Sequence, residues 1–250
     1  MLKAPKHSKA PSSKFSLQRK ERIEFAYRWM LEHYGHQGWW PVICECEGRG
    51  YHPTQFNFPI SEQGRFEICV GAILTQNTAW INVEKAIQNL GANKLLNAFR
   101  LLACEDETLA MLIRPAGYFN QKAKSLKAIA QWFMDVDCRF IEAQEIPDRK
   151  CLLSVRGIGP ETADSILLYA FNVLTFVVDA YTRRIFEALS VIASEWTYEE
   201  IRSLFMRSIP ADLQVYQEFH ALIVEHAKHW YRGTCIESCP LRTALTPKKE

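Results

Sequence analysis

LLSVRGIGPETADSILLYAFNVLTFVVD, Leu152 to Asp179, decides the reading of this chain. Leu152, Leu153 and Val155 anchor one short helix, while Ala163, Ile166, Leu167 and Ala170 recur at the three- and four-residue steps of a second buried face. Between them lies Gly157-Ile158-Gly159, so the spacing predicts a helix, a hairpin and a helix over about residues 150–170. Glycines let the chain take positive φ and expose backbone N–H groups, and the following helix presents its free N-terminal donors beside them. Such a turn can hold an anion, most simply a phosphate.

Outward from this motif, the pattern is helical almost throughout. From Arg65 onward, FEICVGAILTQNTAW, INVEKAIQNL, NKLLNAFRLLA, DETLAMLI and QKAKSLKAIAQWF are amphipathic runs separated by short polar or glycine breaks, which points to an all-α fold. Upstream, Ile23, Ala26, Tyr27, Met30, Leu31 and Tyr34 predict a helix over Arg19–His36, closed by Gly35 and Gly38. Residues 1–16 carry Lys3, Lys6, Lys9 and Lys14 among prolines and serines and read as a disordered basic tail. Val42 to Gly64 reads as a long irregular loop. Lys122, Lys124 and Lys127 read as a solvated helix face.

With 250 residues and 48% apolar content the chain can bury a core of one large domain or two modest lobes. Net charge is only +2, so affinity for a nucleic acid would come from local patches. The eight cysteines lack a secretory framework and the N-terminus lacks the apolar core of a signal peptide, which predicts an intracellular protein with reduced thiols. Cys44, Cys46 and His52 do not have an ordinary zinc spacing and read as incidental. No run approaches the length needed to cross a bilayer.

Four phrases in one order, GAILTQNT, GYFNQKAKSL, VRGIGPETAD and VVDAYTRRIF, resemble the helix-hairpin-helix DNA glycosylases of the endonuclease III superfamily over roughly residues 65–186. Trp39-Trp40-Pro41, the TQNT phrase followed by an aromatic, and the glutamate after the hairpin are most similar to the bacterial 3-methyladenine DNA glycosylase III type. The resemblance implies two all-α lobes: a helical barrel over residues 62–173, and a discontinuous lobe from 17–61 plus 174–250, with the active site in the cleft between them. It also implies action on double-stranded DNA with damaged bases, in the cytoplasm and nucleoid if the source is bacterial; the sequence offers no clear oligomerisation surface, so a monomer is expected.

The implied chemistry is base extrusion followed by hydrolysis of the sugar–base bond. Gln76 and Tyr118 match positions that fill the vacated stack and wedge the opposite strand, although Gln76 could equally bond a helix end and Tyr118 pack in a turn. Trp39, Trp40, Pro41 and Trp80 would form the base pocket, with Trp39 and Trp80 as opposite walls for a cationic N-alkylated purine. Asp179 would stabilise the oxocarbenium-like sugar and orient water; its alternative is a helix cap, and the two coexist if one oxygen caps while the other faces the substrate. Gly157, Ile158, Gly159, Glu161 and Thr162 would bind phosphate, with turn carbonyls holding a monovalent cation.

Glu161 stands where bifunctional relatives carry the lysine that forms a Schiff base, and a carboxylate cannot form that imine. The expectation is a monofunctional enzyme that leaves an abasic site, with Glu161 either orienting water or starting a helix. The C-terminal segment resembles the region where relatives bind an iron–sulfur cluster through four cysteines. Here only Cys235 and Cys239 remain, Tyr231 and Leu245 standing near the first and last ligand positions, so no cluster and no required cofactor are expected. A structural zinc at His226, His229, Cys235 and Cys239 is a minor alternative, and Lys228 matches a structural lysine. Other lesions, such as oxidised pyrimidines or mismatched bases, and a noncatalytic DNA-binding role are the competing functional readings.

Overall fold

The computed structural model describes residues 13–55, 58–59, 61–231 and 235–245, without the side chains of 13–17 and of Cys235. The expected tail lies outside these residues up to position 12, and its last four residues belong to the first helix. Twelve α-helices follow in order: α1 Ser13–Tyr34, α2 Glu62–Leu74, α3 Trp80–Ala92, α4 Ala98–Ala103, α5 Asp106–Leu112, α6 Phe119–Ala143, α7 Arg149–Leu153, α8 Pro160–Ala170, α9 Ala180–Ala188, α10 Tyr198–Ser208, α11 Leu213–Trp230 and α12 Pro240–Leu245. Among the described residues there is no strand, only an isolated antiparallel bridge between Val42 and Gly50. The fold is all-α, as its periodicity predicts.

Local chemistry sets the helix starts. Side-chain oxygens of Ser61, Asn97, Asp148, Asp179, Thr197 and Asp212 accept a backbone N–H from the first turn of α2, α4, α7, α9, α10 and α11. Thr197 and Glu200 form a reciprocal capping box. Pro160 occupies the first turn of α8, where its missing N–H costs nothing.

The helices form two groups. In one, α2 packs on α3, α6 and α8, and α6 also meets α4 and α5. In the other, α1 lies against α10, α11 and α12, and α11 against α9. Helix α11 also meets α8, and between these two the candidate site opens.

A buried charge cluster fixes α8 against the second group. Asp164, fully buried, accepts both Nε and Nη2 of Arg149 at 2.8 Å, Thr175 Oγ1 at 2.8 Å and Tyr198 OH at 2.8 Å. Arg202 Nε lies 3.6 Å from its other side, and Glu199 bridges Arg149 and Arg202. Two cations thus balance two anions, and the bidentate guanidinium holds the arginine proton more firmly than usual. Replacing Asp164 by Asn removes the buried anion and leaves only Glu199, at the rim, against the two guanidinium groups. We expect a loss of about 3 kcal/mol or more, read as a lowered urea midpoint, whereas Glu199→Gln at the open rim should cost under about 1 kcal/mol.

Candidate active site

The hairpin has the predicted form, but its two glycines work differently. Gly157 has φ +80°, and a Cβ there would collide with the Ser125 side chain of α6. Gly159 has φ −96°, caps α8, and a Cβ on it would meet nothing within 4 Å. Positive φ is therefore needed only at Gly157, while Gly159 leaves one side of the turn open for close approach. Ile158 is buried and Thr162 is buried in the first turn of α8 beside the open Glu161.

Gln76 and Tyr118 flank this turn and differ in their bonding. Gln76 Nε2 donates to Gly157 O at 3.0 Å and to Thr162 Oγ1 at 2.9 Å, tying the end of α2 to the hairpin. Tyr118 is 69% exposed, in the left-handed region at the start of α6. The loops bearing both are joined by Lys122, which is only 4% exposed: Nζ donates to Leu74 O, Thr78 Oγ1 and Ala116 O at 2.8–2.9 Å. The solvated lysine face of the sequence reading is thus corrected at Lys122. One turn of helix places it over carbonyls freed at the end of α2, while Lys127 pairs with Asp106.

Between α1 and α2 the described residues hold no helix, and one further expectation changes there. The irregular loop expected from Val42 is strapped to its neighbours, Val42 and Gly50 exchanging backbone hydrogen bonds and His52 N donating to Gly38 O, while its last expected residues, 62–64, begin α2. Cys44 and Cys46 form a disulfide, so these are not incidental reduced thiols; the turn closed by Glu47 N to Cys44 O brings them together. Glu218 on α11 accepts Gln37 N and Gly38 N, and Glu67 on α2 accepts Ile43 N and Cys44 N. The tryptophans thus sit between two carboxylate anchors.

A cavity of about 180 Å³ brings most of the candidate residues together: Trp39, Trp40, Trp80, Glu161 and Asp179 all line it. Trp40 is mostly core, buried against Gly71 of α2. Pro41 is buried behind it and lines a neighbouring cavity instead. Trp39 and Trp80 are half-buried with centroids 6.2 Å apart and planes tilted by 40°. A flat ring between two parallel faces needs about 7 Å, twice a van der Waals contact, so these rings stand as tilted neighbours rather than facing walls.

Asp179 divides its two oxygens. Oδ1 accepts Thr182 N and Thr182 Oγ1, both at 2.7 Å, and caps α9. Oδ2 lies 3.8 Å from His220 Nε2. Glu161 lies in the wall of the same cavity, its surface open to solvent but its surroundings dense with protein; that crowding and, second, the Asp179 charge push its carboxyl up to about 7.

Sequence reasoning missed His220, Tyr181, Ser165 and Tyr169. A signal for most of them was present: Glu161, Ser165 and Tyr169 run at four-residue steps on α8, and His220, Val224 and Lys228 do so on α11, two stripes meeting at the cavity. Lys228 Nζ pairs with Glu225 at 2.8 Å. At the C-terminal end, His226 Nε2 lies 3.2 Å from Cys239 Sγ, while His229 Nε2 turns to Glu225 at 3.1 Å. The Cys235 side chain lies outside the description. Among the described residues no group of three His, Cys, Asp or Glu is placed to hold a metal, and no helix is long and apolar enough to cross a membrane.

A hairpin open at a helix N-terminus, set beside a carboxylate and tryptophan cleft in an all-α frame, is the architecture of one repair class. The chain belongs to the HhH-GPD superfamily of base excision DNA repair proteins, whose family model matches residues 70–211. It is 41% identical over 228 residues to a Methanocaldococcus jannaschii protein named "Putative DNA repair glycosylase", covering 89% of this chain and 94% of that one. Among solved structures it is similar to the Helicobacter pylori 3-methyladenine DNA glycosylase bound to 1,N6-ethenoadenine, with TM-score 0.65, 27% identity, and coverage of 85% and 97%. A trapped endonuclease III–DNA covalent intermediate shares the fold at TM-score 0.68 and 20% identity, covering 89% and 93%.

The Glu67 anchor has a measurable signature. Burial raises its carboxyl from 4.5 to about 7, against the lowering effect of the Ile43 and Cys44 N–H donors. The folded protein therefore holds this proton where the unfolded chain has lost it. Stability from this group is full below its unfolded value and is lost as pH rises through about 7, by roughly 3 kcal/mol in total. Urea unfolding of the wild type minus that of Glu67→Gln should slope downward across this window and flatten above it.

Proposed function

We propose that the protein is a monofunctional DNA N-glycosylase that extrudes N-alkylated purines, of the 3-methyladenine type, from double-stranded DNA and hydrolyses the sugar–base bond to leave an abasic site. The observation that carries this reading is the division of Asp179: one oxygen is spent on the helix cap and the other opens into a tryptophan-lined cavity. A cap alone has no need of a cavity.

The roles follow from the geometry. Tyr118, exposed on a fixed turn, wedges the duplex, and Gln76 enters the gap once its bonds to Gly157 O and Thr162 Oγ1 release. The open side of Gly159 and the first-turn N–H groups of Glu161 and Thr162 receive a phosphate, a contact blind to sequence. A monovalent cation at the turn carbonyls would join Gly157 and its neighbours to that phosphate. Trp39 and Trp80 take the cationic purine by stacking and cation–π attraction once their rings separate. The free Asp179 oxygen steadies the positive charge that develops on the sugar as the base leaves.

Glu161 stands at the first turn of α8 where a Schiff-base enzyme would need an amine, and this supports hydrolysis without strand cleavage. The likeness to the Helicobacter pylori glycosylase supports the alkylpurine class. No iron–sulfur cluster is proposed: Tyr231 is buried near the first ligand position and Cys239 is engaged by His226.

Duplexes carrying single alkylated purines, oxidised pyrimidines or mismatches, scored for abasic sites with and without alkali, test the reading. Release of alkylated purines, strand breakage only after alkali, and no borohydride-trapped adduct are expected. Asp179→Asn should lower release by about 10²-fold or more with duplex binding retained. Release of another lesion class alone, or efficient trapping, would overturn the alkylpurine or the monofunctional part respectively.

A further inference from the structure

The stripes of α8 and α11 converge at their Tyr169 and His220 ends, against Asp179. Tyr169 OH donates to Gln217 O at 3.0 Å and lies 2.8 Å from His220 Nδ1. A phenol has one proton, and a carbonyl can only accept. When that proton goes to Gln217 O, the phenol oxygen is left to receive Nδ1–H, the tautomer that leaves the imidazole lone pair on Nε2.

Nε2 lies 3.8 Å from Asp179 Oδ2, the oxygen that does not cap α9. Two acceptors at this separation cannot bond each other. They suit one water molecule, which gives a proton to each and turns its own lone pairs toward the cavity that Trp39 and Trp80 line. Trp39 closes the other side of the imidazole edge to face, with centroids 5.9 Å apart at 88°.

Resting on the glycosylase reading above, we infer that His220 is a catalytic residue: its Nε2 takes the proton of the hydrolytic water that Asp179 helps to hold. The water oxygen bonds to the anomeric carbon as the sugar–nitrogen bond breaks. That electron pair leaves with the base and neutralises the alkylated ring, so this leaving group needs no proton. The proton lost by water rests on His220 and returns to solvent after product release. The substrate class that matches one base and no obligatory acid is a purine already cationic through N-alkylation.

The charged and titratable groups around the imidazole are Asp179 and Tyr181 from the start of α9, Tyr169 and Glu161 from α8, and Glu218 and Lys228 on its own helix. Glu218 is occupied by the Gln37 and Gly38 N–H groups, and Lys228 by Glu225. Burial lowers the His220 pKa, with Asp179 opposing, which keeps the ring neutral and basic at neutral pH.

The test is single-turnover release from an alkylpurine duplex by the full chain, from about pH 5 to about pH 9. The wild-type rate should fall on the acid side as His220 protonates. His220→Gln can hold water but not take its proton. Its rate should drop by roughly 10²-fold or more and lose the acid limb, with duplex affinity unchanged. Tyr169→Phe, which keeps the ring and frees Nδ1, should slow release and move the limb; it carries the test if His220→Gln does not fold. A folded His220→Gln with the wild-type rate and profile, or a Tyr169→Phe with an unmoved limb, overturns the assignment. A wild-type protein that releases no base from any lesion duplex overturns the glycosylase reading instead.

Discussion

The buried carboxylate of Asp164 is the constraint on which the site depends. It lies on α8 about 100° round from the middle of the Glu161–Ser165–Tyr169 stripe, and draws in donors from α7, from Thr175 and from α10. A desolvated anion tolerates little displacement of its donors, because each lost bond leaves charge uncompensated in a medium that screens poorly. Four residues after Thr175 the chain reaches Asp179. The same cluster that sets the roll of α8 thereby sets where the next helix begins and where its capping carboxylate points.

What Asp164 does for the helices, Glu67 and Glu218 do for the segment that lacks helices. A chain without regular structure must satisfy its backbone N–H groups elsewhere. Here four of them are met by two carboxylates, one from each group of helices. Trp39 and Trp40 lie between these anchors, so their placement is determined by both groups together. Lys122 plays the converse part beside the hairpin, where surplus carbonyls at the end of α2 and at Ala116 meet one ammonium.

Much of this was legible in the sequence because it is local. The all-α class, the hairpin and the capping role open to Asp179 all follow from periodicity and from residues next to one another. The gathering of Trp39, Trp40, Trp80, Glu161 and Asp179 came through resemblance rather than spacing. What stayed hidden was pairing across long separations. Lys122 looked like a surface lysine because nothing nearby in sequence shows that Leu74 and Ala116 will offer carbonyls to it. His220 drew no notice in the sequence, because its contact with Tyr169 spans 51 residues. The Cys44–Cys46 disulfide escaped a composition argument because that argument weighs the whole chain, whereas the bond depends on a single turn.

The aromatic wall shows how such fixed and adjustable parts are divided. Trp40 cannot yield: its ring lies so close to Gly71 that a Cβ there would come within 3.0 Å of Nε1, and it is buried among core residues. Trp80 begins α3, with its neighbour Ala79 extended and making no side-chain cap, so the least constrained end of that helix carries it. Trp39 is half-buried, touching Trp40, Trp80 and His220 only by edges or tilted faces. Any widening of the cavity for a flat ring therefore falls to Trp39 and Trp80, while Asp179 and His220, held by Thr182 and Tyr169, keep their separation. The half-buried tryptophans can adjust without disturbing the Asp179 and His220 pair.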